Sequence, residues 1–213
     1  KNPDVLPLAF LARGEALDMT GAGPFERQNS LISSLLGEET VVFRPVPDTA
    51  ESWDTGETSF TFTGTGKPIY ADLSAEGIGD VLVNGETVLS LGKSEQMSIH
   101  YLCTPEAGEV CTVTVQHKGG WTGTLWELDR EELRGAAEEL NNTEITEVGK
   151  GGLVRLTARA DGTETLVTTI PAESGWTAYV DGRKVETEVW LNAFLALELP
   201  AGEHQVELRY TVP

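Results

Sequence analysis

The sequence has 213 residues, 39% hydrophobic and 23% charged, which suits one large β-rich domain or two small ones. Its 34 acidic residues outweigh 15 basic ones, so the net charge of −19 repels phosphate backbones and argues against nucleic acid and anionic membranes as partners. No apolar run approaches the roughly 18 residues of a membrane span, and the 23 glycines with recurrent Thr point to short strands and tight turns.

The chain opens on Lys1-Asn2-Pro3-Asp4. That start has neither an initiator Met nor the charged-then-apolar pattern of a signal peptide, so the chain reads as a piece of something longer. Leu6 to Leu11 predicts a strand. Residues 21–37, GAGPFERQNSLISSLLG, predict a helix. Pro24 suits its first turn, Glu26 its positive end and Gly37 its C′ position. Phe25, Ile32, Leu35 and Leu36 share one face, and Arg27, Gln28 and Asn29 read as the solvated side.

Strands follow at Val41–Arg44, Glu57–Thr63 and Ile69–Leu73, with a proline loop around Pro45 and Pro47. VLVNGETV, 81–88, is a hairpin turning at Asn84-Gly85. Met97–Cys103, Cys111–Gln116 and Thr122–Leu128 are strand-like. Asp129 to Asn141 predicts a second helix, with Asp129 as N-cap, Glu132 in the capping-box position, and a stripe of Leu133, Ala136, Ala137 and Leu140. Gly149 to Gly152, GKGG, reads as a flexible joint, since it lacks the spacing of a phosphate loop. Beyond it the predicted strands are 154–158, 165–170, 176–180, 185–190, 194–199 and 204–210. Asp181-Gly182, between Tyr179-Val180 and Val185, carries the signature of a type I′ hairpin, whose two central residues need φ > 0.

The two halves echo each other. VLVNGETV and then IHYLCTPEAGEVCTVTV in the first match AYVDGRKV and then LALELPAGEHQVELRY in the second, in the same order. The expected fold is all-β, with two β-sandwich or jelly-roll-like lobes, a short N-terminal helix and a helix between the lobes. The expected division is an N-terminal lobe at 1–128, a helical connector at 129–149 and a C-terminal lobe at 150–213.

Cys103 and Cys111 flank a turn-rich spacer. A hairpin centred near Ala107 sets them opposite each other, where a disulfide needs Cα atoms within about 7 Å and an oxidising compartment. Two buried free thiols are the alternative. His100, His117 and His204 lack metal-ligand spacing, and no nucleophile elbow or catalytic triad is suggested, so neither a metal, a cofactor nor a catalytic residue is expected. Of five tryptophans, Trp176 reads as core. Trp53, among polar neighbours, and Trp121, after Gly119-Gly120, read as exposed and as candidate stacking platforms for a sugar ring.

Ile170-Pro171, Gly175-Trp176, Val180-Asp181-Gly182, Phe194-Leu195, Leu199-Pro200-Ala201-Gly202-Glu203-His204 and the closing Tyr210 and Pro213 form one ordered set. Leu6-Pro7-Leu8-Ala9-Phe10 and Pro24-Phe25-Glu26-Arg27-Gln28-Asn29-Ser30-Leu31 form another near the start. Together they resemble the C-terminal extracytoplasmic region of YfhO-type bacterial multi-span membrane proteins. That resemblance implies a glycosyltransferase-like parent with transmembrane helices before this region, and a place on the extracellular face of the cytoplasmic membrane. It implies a non-catalytic accessory domain whose partners are its own transmembrane region and a cell-wall polysaccharide or teichoic acid. The catalytic carboxylates of such enzymes lie outside this region, so none is carried over. A self-standing secreted carbohydrate-binding module and a glycoside hydrolase remain the alternatives.

Overall fold

The computed structural model describes residues 7–14, 22–47, 49–54, 56–74, 77–91, 99–118, 121 and 123–212. The chain begins with β1 (Ala9–Ala12), α1 (Pro24–Leu36), β2 (Phe43–Pro45), β3 (Ala50–Asp54), β4 (Glu57–Thr63) and β5 (Ile69–Asp72). There follow β6 (Ile78–Val83), β7 (Glu86–Ser90), β8 (Ile99–Cys103), β9 (Val110–His117), β10 (Leu125–Leu128) and α2 (Arg130–Glu139). The last third holds β11 (Thr143–Gly149), β12 (Leu153–Ala160), β13 (Glu164–Pro171), β14 (Trp176–Val180) and β15 (Arg183–Val185). It closes with β16 (Glu188–Trp190), β17 (Phe194–Leu199) and β18 (Gly202–Tyr210). Among the described residues the architecture is all-β with two helices.

The chain forms two compact units. A middle unit comprises Gly21–Asn29 and Val41–Arg130; a terminal unit comprises Lys1–Thr20, Ser30–Thr40 and Glu131–Pro213. In the middle unit one antiparallel sheet runs β3-β4-β9-β6-β7 and a second runs β2-β10-β5-β8. Phe60, Phe62, Val81, Val113 and Val115 of the first pack with Ile69, Ala71, Leu102 and Leu125 of the second in one core. β4 shows why: in ETSFTFT every second side chain is buried, because alternation puts Thr58, Phe60 and Phe62 on one face. Pro45 lies on β2 at a sheet edge, where its missing N–H breaks no ladder.

The terminal unit repeats the scheme with sheets β11-β12-β18-β14-β15 and β1-β13-β17-β16. Its core joins Leu156, Ala178, Val206 and Leu208 of one sheet to Leu11, Leu166, Leu195 and Leu197 of the other. The internal echo is a repeat of pairing. β6 lies between β7 and β9 as β14 lies between β15 and β18, β4 pairs with β9 as β12 with β18, and β5 pairs with β8 as β13 with β17. Both hairpin turns have the expected positive φ pairs, Asn84-Gly85 at 50° and 84° and Asp181-Gly182 at 51° and 77°. The two Asx residues also act alike. Asn84 Oδ1 accepts from Thr112 N at 2.8 Å, and Asp181 Oδ1 accepts from Gln205 N at 2.9 Å, so each side chain ties its turn to the closing strand.

Four expectations change. β1 pairs with β13, so it joins the terminal unit rather than a lobe at 1–128. AFLA is buried at every position, and a fully covered strand carries no periodicity that would reveal its partner. The segment 143–149 is a strand, not connector, and Gly149 to Gly152 turns the β11–β12 hairpin, with Gly151 and Gly152 at φ 78° and 77°. β3, paired with β4, was not legible in AESWD, which is rich in polar residues. Finally, β8 and β9 lie in different sheets of the sandwich, so 104–109 crosses between sheets and is not a hairpin.

Candidate functional site

A concavity lies in the middle unit, off the ends of β5, β9 and β10. It has a volume of about 390 Å³ and is lined by Gly23, Pro24, Phe25, Glu26, Asp72, Ser74, Trp121, Gly123, Thr124 and Trp126. Two indoles, two carboxylates and two hydroxyls thus share one cleft. Such a mixture of flat apolar faces and short polar groups is how proteins hold a sugar-sized ligand.

Trp121 is 6% exposed, so the expectation of an exposed ring is corrected. Three contacts bury it. Its Nε1 donates to the Asp72 carbonyl at 3.2 Å, its ring meets Phe60 edge-on at 5.7 Å, and its six-membered edge lies over Gly123, where a Cβ would come within 1.9 Å of Cζ2. The Trp121 carbonyl accepts from Thr58 Oγ1 at 3.3 Å, and Thr58 Oγ1 lies 2.9 Å from His117 Nε2. Thr58 is fully buried, so this chain of bonds satisfies core polar groups while fixing the indole as the cleft wall.

Trp126 forms the other wall. In LWEL, Leu125 points into the core and Trp126 to the opposite face of the sheet. Its ring stacks on Phe25 at 5.0 Å and 16°, and Phe25 meets Phe43 edge-on at 5.0 Å. Across the strands Trp126 pairs in register with Tyr70, and Tyr70 with Tyr101; the two tyrosine rings are 5.7 Å apart. An aromatic row therefore runs from the cleft over the outer face of this sheet to the half-exposed Tyr101.

The carboxylates differ in their engagement. Asp72 Oδ1 accepts from Ser74 N at 3.0 Å, closing an Asx turn at the rim. Glu26, in the first turn of α1, is exposed, and its Oε2 fills the space a Cβ at Gly23 would need. Outside the cleft, Glu127 and Asp129 are committed to structure. Lys67 Nζ lies 2.9 Å from Asp129, whose hydrogen bond and charge hold the ammonium above its ordinary pKa, and Thr65 Oγ1 donates to Glu127 at 2.8 Å.

Of the residues singled out by sequence, Trp53 lies on β3 opposite Thr58, and its side chain falls outside the described residues. Cys103 and Cys111 carry free thiols, not a bridge, and sit on facing sheets. His100, His117 and His204 fall on three different strands, and among the described residues no group of three His, Cys, Asp or Glu could hold a metal. Asn29 is not solvated surface: its Oδ1 accepts from Val42 N and Phe43 N at 3.0 and 2.8 Å, and its Nδ2 donates to the Phe43 carbonyl at 2.8 Å. Phe25, Glu26, Asp72 and Trp126 were missed as site residues. The one usable signal was the alternation of LWEL, which turns Trp126 away from the core.

Among solved structures the chain is similar to a GH2 β-galacturonidase from Eisenbergiella tayi, at 12% identity and TM-score 0.27, over 75% of this chain and 29% of that one. It is similar to a glycosyl hydrolase family 2 member from Bacteroides cellulosilyticus, at 12% identity and TM-score 0.25, over 95% and 30%. It is also similar to a cycloisomaltooligosaccharide glucanotransferase from Paenibacillus sp., at 10% identity and TM-score 0.21, over 86% and 50%. The chain thus spans under a third of the two hydrolases, and at these scores the likenesses carry no argument. No curated protein matches the chain. The family model described as bacterial membrane protein YfhO matches residues 1–213.

Proposed function

The chain belongs to the YfhO family of bacterial membrane proteins, and from that premise we propose that it is a non-catalytic extracytoplasmic module that holds a saccharide unit of an envelope glycopolymer. The observation that carries this reading is the cleft of about 390 Å³ walled by Trp121 and Trp126 and rimmed by Glu26 and Asp72. Trp126 offers flat apolar surface to a pyranose ring beside the buried wall that Trp121 forms, and Asp72, Glu26, Ser74 and Thr124 offer hydrogen bonds to its hydroxyls. In this reading the parent is a polytopic envelope protein of the glycosyltransferase type, its membrane region is one partner, and a cell-wall polysaccharide or teichoic acid is the other. Among the described residues no helix is long and apolar enough to cross a membrane.

The test is calorimetric titration of the protein with defined cell-wall oligosaccharides. Trp126→Ala should weaken binding about tenfold, the worth of one aromatic stack, and Asp72→Asn should weaken it less. Absence of binding to every oligosaccharide, or binding indifferent to Trp126, sinks the cleft as the site. A full-length reading frame with no transmembrane helices upstream sinks the membrane-parent reading and favours a secreted module. Because Glu26 and Asp72 line one cleft, hydrolysis of an aryl glycoside that Glu26→Gln abolishes would establish the glycosidase alternative instead.

A further inference from the structure

The two units put the same three strands to different use. In the middle unit β10 pairs with β5 and β5 with β8, as β1 pairs with β13 and β13 with β17 in the terminal unit. On the terminal sheet the face turned away from the intersheet core carries Phe10, Val167 and Ala196 in register, and all three are buried. On the middle sheet the corresponding face carries Trp126, Tyr70 and Tyr101 in register. Trp126 and Tyr70 are half-buried, and Tyr101 is 51% exposed. Alternation explains the direction of these rings: Leu125, Ile69, Ala71 and Leu102 fill the core, so their neighbours along the strands turn outward. A covered face is built from aliphatic side chains, as in the terminal unit. An open one carrying an indole and two phenols has the composition of a binding surface.

We propose that this aromatic row extends the cleft into a track for a linear, uncharged glycan, with one pyranose at Trp126 and further ones over Tyr70 and Tyr101. The inference rests on the cleft being a saccharide site and adds the length and charge of its ligand. Length follows from spacing. The row crosses two strand spacings, about 10 Å from Trp126 to Tyr101, and one spacing is close to what each pyranose adds to an extended chain. The rings are not coplanar. Tyr70 meets Tyr101 at 67° and Phe43 at 90°, so the track suits a chain whose successive sugar rings turn. Its far end is pre-set: the Tyr101 hydroxyl lies 3.2 Å from Thr104 Oγ1, which orients an exposed ring before anything binds and lowers the entropy cost of binding. Charge follows from the lining. No residue that lines the cleft is basic, Glu26 and Asp72 are acidic, and the chain carries a net charge of −19. A phosphate-bearing polymer meets repulsion there with no cation to pair it, whereas a neutral polysaccharide meets apolar rings and acceptors for its hydroxyls.

The test is calorimetric titration with chito-, cello- and malto-oligosaccharides, each series running from disaccharide to hexasaccharide, beside a poly(glycerol phosphate). In the series that binds, affinity should rise with chain length until the row is filled and then level off. Tyr101→Ala should weaken hexasaccharide binding about tenfold, the worth of one aromatic stack, and leave disaccharide binding unchanged. Tyr101→Phe, which keeps the ring, should retain most of the affinity. Tyr101 is exposed, so these variants should melt with the parent protein. Poly(glycerol phosphate) should bind more weakly than the neutral oligomers. Binding that needs Trp126 but ignores both chain length and Tyr101 overturns the track and leaves the cleft standing. Preference for poly(glycerol phosphate) overturns the uncharged ligand, and no binding by any oligomer overturns cleft and track together.

Discussion

Asp181 Oδ2 lies 2.8 Å from His204 Nδ1, while Asp181 Oδ1 accepts the Gln205 amide, so one turn carboxylate ties the β14–β15 hairpin to β18 twice. The hydrogen bond that His204 donates to Asp181 holds the imidazole above its ordinary pKa, and the same bond, with that from Gln205 N, holds the carboxylate below its own. The signs bound a window. The raised histidine stabilises fully below about pH 6.5 and loses its contribution as pH rises through the raised value. The lowered aspartate stabilises above about pH 4 and loses its contribution as pH falls through the lowered value. Melting temperature followed across the pH range should therefore peak between these limits. Asp181→Asn, which restores the Asn-Gly turn found at Asn84-Gly85, should flatten the profile while the hairpin persists. An unchanged profile in that variant refutes the assignment.

Thr58→Val tests the support of the cleft wall. The substitution keeps the volume and removes the hydroxyl that serves the Trp121 carbonyl and His117 Nε2 in a fully buried position. Losing such a bond should cost about 1–3 kcal/mol in urea unfolding. Near-ultraviolet dichroism should change as well, because the indole loses its backbone anchor.

Asn29→Ala should detach the 42–43 backbone from α1. Three hydrogen bonds disappear, leaving Val42 N and Phe43 N without their acceptor. A loss of about 2–4 kcal/mol is expected, with faster amide exchange at these two residues. Arg27→Ala and Gln28→Ala, on exposed positions of the same helix, should stay within about 0.5 kcal/mol of the parent.

Gly175 and Gly182 separate crowding from backbone strain. A Cβ on Gly175 would lie 2.5 Å from both the Thr211 carbonyl and the Tyr210 ring, so Gly175→Ala should cost about 1–3 kcal/mol. At Gly182 nothing lies within 4 Å, but φ is 77°, so Gly182→Ala should cost about 1 kcal/mol through conformation alone. Denaturant midpoints of the two variants check the order.

Local chemistry accounts for what could be read in advance. Asn84-Gly85 and Asp181-Gly182 announce their turns because few residues tolerate positive φ twice in succession. ETSFTFT announces its strand because a sheet with one face in the core demands alternation. Pro24 and Gly37 frame α1, and the ordered motifs of the second half announced the family. Of the cleft only Trp121 was singled out, and for the wrong reason: that indole was expected outside, whereas it is a buried wall.

The sequence by itself determined most of the strands, though not β3 or β11, together with the two type I′ turns, the all-β class and the family, all of which rest on neighbours along the chain. The tertiary structure alone decided that β1 pairs with β13, that β8 and β9 lie in opposite sheets, and that Trp126 and Asp72 share a cleft with Trp121. Strand pairing and sheet crossover join residues far apart in sequence, and no local preference encodes which distant partner completes a core.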